Sequence, residues 1–68
     1  MAKMNPLAKD LLQDLEILLE DIIDADQHLN PETEQVYPSI LELCKKIVTI
    51  NDRFGLAHSP AIKAVASQ

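Results

Sequence analysis

Residues 6–27 read PLAKDLLQDLEILLEDIIDADQ, and the fold of the chain turns on this stretch. Projected at about 100° per residue from Leu15, the residues Met4, Leu7, Ala8, Leu11, Leu12, Leu18, Leu19, Ile22, Ile23, Ala25 and Leu29 all fall within roughly 80° of it. Asp10, Asp14, Glu16, Glu20, Asp21 and Asp24 fall on the other side. The exceptions are Ile17 on the acidic face and Asp26, near the end, on the apolar face. That is the pattern of a long amphipathic helix, with Asn5 as its N-cap and Pro6 as its first residue. The expected span is 6–27.

Working outward, the same two-residue signal recurs at Asn30-Pro31 and Ser59-Pro60. A second periodic stretch, centred on Ile40, gathers Val36, Tyr37, Leu43, Cys44, Ile47, Val48, Ile50 and Phe54 on one face and Glu42, Lys45, Lys46, Thr49, Asp52 and Arg53 on the other. Pro38 disfavours helical geometry at Tyr37, so residues 31–37 form either a separate turn or a kinked first part of this helix. The turn is the preferred reading, with loop and turn over 28–37 and the helix over 38–54. Gly55, the only glycine, suits a left-handed C-terminal stop. Residues 60–66 read as a short third helix, marginal by itself.

The expected fold is therefore all-α, a single helical domain over 1–68. An antiparallel hairpin of the two long helices carries the short C-terminal helix. Each long helix has an apolar arc of about 160–180°, wider than a two-helix seam needs, which calls for further helices from a second copy or another protein. The spacing Met4, Ala8, Leu11, Leu15, Leu18, Ile22, Ala25, Leu29 alternates fours and threes, as knobs-into-holes packing requires. The expectation is self-association, a dimer being favoured, into a four-helix bundle or larger helical oligomer. Its core would draw on Leu11, Leu15, Leu18, Ile22, Ile40, Leu43, Cys44, Ile47 and Phe54.

Composition removes several function classes. At 68 residues the chain buries a small core, and its 47% hydrophobic and 25% charged residues with net charge −5 place it among globular chains. A single cysteine, Cys44, permits no internal disulfide and no multi-cysteine zinc site. One Gly, one Phe, one Tyr and no Trp leave no Gly-rich phosphate loop and no aromatic platform for bases. No apolar run reaches the roughly 18 residues of a membrane span, so no membrane association is expected and a cytoplasmic setting is. Eleven acids against six bases count against direct nucleic-acid binding.

The residues that could carry chemistry have plainer roles. Glu20, Asp24 and His28 recur every four residues and could line up metal-ligating atoms, but no second helix supplies the remaining ligands. Cys44 lies on an apolar face, where a thiol acts as a small hydrophobe. Neither His28 nor His58 is placed by the sequence to activate it, and neither Ser39 nor Ser59 stands in a nucleophile elbow. The expectation is a protein that is not an enzyme and uses no cofactor. Asn51 falls within the second apolar arc, where it either finds a buried partner and sets helix register or reaches water near the helix end.

What remains is interaction. Asp10, Asp14, Glu16, Glu20, Asp21 and Asp24 form an acidic face that could dock a basic partner, imitate DNA to block a nucleic-acid-binding protein, or only keep a small oligomer soluble. Spare apolar surface, placed here on the second helix, could instead receive a partner helix. Lys45, Lys46, Arg53 and Lys63 give the C-terminal half a basic side that could pair with these acids within or between copies. The expected role is a small adaptor or inhibitor that binds a second protein with a basic or apolar surface, from a phage or plasmid.

From Tyr37-Pro38-Ser39-Ile40 through Arg53-Phe54-Gly55-Leu56 to Ser59-Pro60, the arrangement resembles the C-terminal tail of phage terminase small subunits. There a proline-started helix runs into a Phe-Gly-Leu-x-Pro segment. Here Ala57 and His58 separate Leu56 from Ser59-Pro60, and Lys63 is the nearest substitute for the arginine that follows the proline in that family. The resemblance covers about a third of the chain, and no DNA-binding helix-turn-helix precedes it. It implies a DNA-packaging or oligomer-assembly role.

Overall fold

The structure is a computed structural model and describes residues 3–68. Three helices follow one another: α1 over Pro6–Asp24, α2 over Pro38–Phe54 and α3 over Pro60–Ala66. Each begins with proline, whose missing N–H would have no helical partner at that position. Asn5 Oδ1 accepts from the Leu7 amide at 2.9 Å, and Ser59 Oγ from the Ile62 amide at 3.5 Å. Tyr37 precedes Pro38 with no side-chain cap, so extended geometry at that residue and the proline together start α2.

α1 is three residues shorter than the expected 6–27. The chain turns at Asp26, which takes the left-handed conformation at φ 57°. The Asp26 amide donates to the Ile23 carbonyl at 3.0 Å and the Gln27 amide to the Ile22 carbonyl at 2.9 Å. This is the double hydrogen bond of a Schellman stop, built without glycine, since aspartate is among the few residues that tolerate left-handed geometry. The end of α2 uses the same device with Gly55 at φ 67°, the Leu56 amide donating to the Asn51 carbonyl at 2.8 Å.

Residues 31–37 form a turn rather than a kinked first part of α2. Leu29 and Val36 make an isolated antiparallel bridge, with the Asn30 amide donating to the Gln35 carbonyl at 2.8 Å and the Tyr37 amide to the His28 carbonyl at 3.0 Å. Asn30 Oδ1 accepts from the Glu32 amide at 2.9 Å, so Asn30 caps a turn and not a helix.

The core is small and depends on α3. Leu19 of α1, Val36 of the turn, Cys44 and Ile47 of α2, and Ile62 and Val65 of α3 are buried together. Leu12, Leu15, Ile23, Leu29, Ile40, Leu41, Leu43 and Val48 pack around them. α3 lies against both long helices. Burial of Ile62 and Val65 contributes about 1.5–3 kcal/mol each, which anchors a seven-residue helix that would not persist alone. This corrects the assignment of Cys44 and Ile47 to an oligomer core. Their exposures are 0% and 1% within one chain, because α3 covers the apolar width that a second molecule was expected to cover.

Candidate interaction surface

α1 divides into three strips around its axis. Leu12, Leu15, Leu19 and Ile23 face the core. Turning away from Leu19, Leu11, Leu18 and Leu7 follow at about 80–120°, and Asp14, Asp21 and Asp10 at about 140–180° in the same sense. The leucine strip is open: Leu7 is 67% exposed, Leu11 61% and Leu18 56%. Met4, Leu15 and Ile22, interleaved with it in the four-and-three spacing, are half-buried. Of the apolar seam that the sequence reserves for another helix, Leu11 and Leu18 therefore stay open in the single chain, while Leu15 and Leu29 pack against the chain's own core.

Among the described residues the large exposed apolar side chains lie on α1, with Ile17 on its acidic side, and at Tyr37 just before α2. This corrects the placement of the spare apolar surface on the second helix. α2 faces inward with Cys44, Ile47 and Asn51, and its Leu43, Ile50 and Phe54 are half-buried. Leu7, absent from the expected oligomer core, is the most exposed large apolar side chain among the described residues. Its position on the arc was visible in the sequence, but its distance from α3 was not.

Ile50 joins two shallow grooves. One is lined by Met4, Ala8, Leu11, Leu12, Leu15 and Ile50, and the other by Glu42, Lys45, Lys46, Thr49, Ile50 and Arg53. The open face thus runs continuously from the leucine strip of α1 across Ile50 to the basic edge of α2.

The acidic residues do not act as one row. Asp10, Asp14, Asp21 and Asp24 are exposed, whereas Glu16 and Glu20 are half-buried. Glu16 turns inward: its Oε1 accepts from Asn51 Nδ2 at 2.7 Å. Asn51 is 2% exposed and its Oδ1 has no hydrogen-bond partner. Since a carboxylate can only accept, it fixes the amide with its nitrogen toward α1. Of the two readings the sequence allowed for Asn51, the structure adopts the buried one, and this bond ties α1 to α2.

No family model, curated protein or solved structure matches this chain. Among the described residues Lys46 forms an ion pair with Glu42 at 3.2 Å, both well exposed, and His58 Nε2 is hydrogen-bonded with Asp52 Oδ1 at 2.6 Å at the joint between α2 and α3. Neither links the bases of α2 to the acids of α1.

The positions weighed for chemistry are dispersed or closed. Glu20 is half-buried, Asp24 exposed and His28 buried beneath the turn, and no three His, Cys, Asp or Glu among the described residues are grouped to hold a metal. Burial pushes the Cys44 thiol above its ordinary value of 9.0, away from thiolate reactivity. No helix among the described residues is long and apolar enough to cross a membrane.

Proposed function

We propose that this chain is a small non-enzymatic protein-binding adaptor or inhibitor of the cytoplasm, whose working surface is the open leucine strip of α1. In this reading α1 and α2 form an antiparallel hairpin braced by α3, and hairpins associate into a four-helix assembly. The supporting observation is the exposure of Leu7, Leu11 and Leu18, at 67%, 61% and 56%, the last two on the seam with coiled-coil spacing. A solvated outer face has no use for three leucines in register, whereas a helix-docking face does.

The leucine strip lies directly beside Asp10, Asp14 and Asp21, which favours a protein partner over imitation of DNA, since a phosphate mimic needs unbroken charge. The DNA-packaging or assembly role implied by the terminase resemblance would use the same self-association. The test is the solution mass of the wild-type chain and of Leu11→Glu/Leu18→Glu, by light scattering across a concentration series. The expected result is a wild-type oligomer and a variant that is helical but monomeric. An oligomer unaffected by the substitutions would remove α1 from the role.

A further inference from the structure

The open face is divided in charge. On α1 the strip Leu11, Leu18, Leu7 gives way outward to Asp14, Asp21 and Asp10. On α2, turning the corresponding way from buried Ile47, Leu43 and Ile50 follow at about 40–60° and Lys46 and Arg53 at about 100–120°. Ile50 belongs to the grooves on both sides, so the face has an apolar middle, an acidic edge along α1 and, along α2, an edge on which Lys45, Lys46 and Arg53 outnumber Glu42, the partner of Lys46 within the chain.

We propose that this face docks on the same face of a second copy about a two-fold axis parallel to the helices, so that α1 of each copy lies on α2 of the other. The proposal rests on the self-association reading above and adds its geometry and register. A two-fold of this kind exchanges left and right, bringing the acidic edge of one copy over the basic edge of the next. It leaves height along the bundle unchanged. Within the chain Ile50 lines one groove with Leu11, Leu12 and Leu15 and its neighbour Asn51 bonds Glu16, so Ile50 of one copy meets the Leu11-to-Leu15 stretch of the other, and Arg53 and Lys46 come against the aspartate edge that runs from Asp10 through Asp14 to Asp21. The other two-fold, across the helices, would stack α1 on α1 and set aspartates against aspartates. A stable contact needs about 800 Å² from each partner, roughly a sixth of the chain's 4896 Å².

The net charge of −5 per copy makes salt act in both directions, so charge reversal is the decisive experiment. Sedimentation equilibrium from micromolar to millimolar chain compares wild type with Asp10→Lys/Asp14→Lys, with Lys46→Glu/Arg53→Glu, and with all four changes together. Each pair of reversals is expected to weaken the dimer about thirtyfold, and the combination to return it to within about threefold of wild type. The α1 reversal is the sharpest arm, because it brings the net charge toward neutrality. General repulsion would then make the dimer tighter, whereas the proposed pairing makes it weaker. Helical circular dichroism checks that each variant folds, and Leu11→Glu provides a dimer-breaking control independent of these charges. A dimer that yields to Leu11→Glu but ignores or tightens with the reversals overturns this pairing and leaves self-association standing. A wild-type chain monomeric at millimolar concentration overturns both and leaves the face to a different protein.

Discussion

Replacing Glu16 with alanine removes the one hydrogen-bond partner of a buried amide. Asn51 is 2% exposed and its Oδ1 is already unpartnered, so in Glu16→Ala both polar ends of the side chain lie unsatisfied in the core. Stranding a buried donor costs about 1–3 kcal/mol. Because Glu16 is only half-buried, water reaching its vacated site offsets part of this, and the expected loss is about 1.5–2 kcal/mol. For a domain of this size that lowers Tm by roughly 6–15 °C. Replacing both partners is different: Glu16→Ala/Asn51→Leu exchanges the polar pair for apolar contact and is expected to lie within about 0.5 kcal/mol of wild type. The coupling in the double-mutant cycle is then at least about 1 kcal/mol, well above the scatter of independent sites. Urea denaturation followed by circular dichroism measures all four chains, at one fixed concentration because self-association adds to apparent stability. Strictly additive effects, or a Glu16→Ala loss below about 0.5 kcal/mol, would refute the claim that this bond joins the two helices energetically.

Gly55→Ala should cost about 1–2 kcal/mol, and Asp26→Gly should stabilise by about 0.5–1 kcal/mol, since both positions are left-handed and only glycine occupies them freely; thermal melts read the opposite signs. Ile62→Ala should cost about 2–5 kcal/mol, by urea titration, and unfold α1 and α2 together with α3, because Ile62 is 1% exposed in the core all three helices share. Cys44 should stay unreactive toward an aromatic disulfide reagent until the chain unfolds. Its folded pKa lies above the ordinary 9.0, so its contribution to stability is complete below that pH and is lost as pH rises toward the folded value, a decline that Cys44→Ala should lack in melts above pH 9.0.

Much of the candidate surface is legible in the sequence. The four-and-three spacing along α1 places Leu11, Leu15 and Leu18 on one seam, and Leu11 and Leu18 prove to be open to solvent. The acidic residues are less legible, because helical projection sees Glu16 only as opposite Leu15. It cannot see that Asn51 stands across the groove to receive it. Cys44 and Ile47 were misplaced for a related reason. Their side of α2 is plainly apolar, but whether α3 or a second chain covers it depends on the path of residues 55–59.

The sequence by itself determined the helices. Pro6, Pro38 and Pro60 act through the rigid ring, and Gly55 through its missing side chain. Both effects are local, so α2 and α3 occupy the expected 38–54 and 60–66. Asp26, the acid on the wrong side of the first helix, marks where that helix leaves its own pattern, although aspartate takes the left-handed turn too rarely for the sequence alone to place the stop there. Only the tertiary structure decided which apolar strips are used within the chain and which stay open. Burial is a contest among all faces for a limited partner surface. In a chain of 68 residues a seven-residue helix with two buried side chains is enough to close one face and leave the leucines of α1 in solvent.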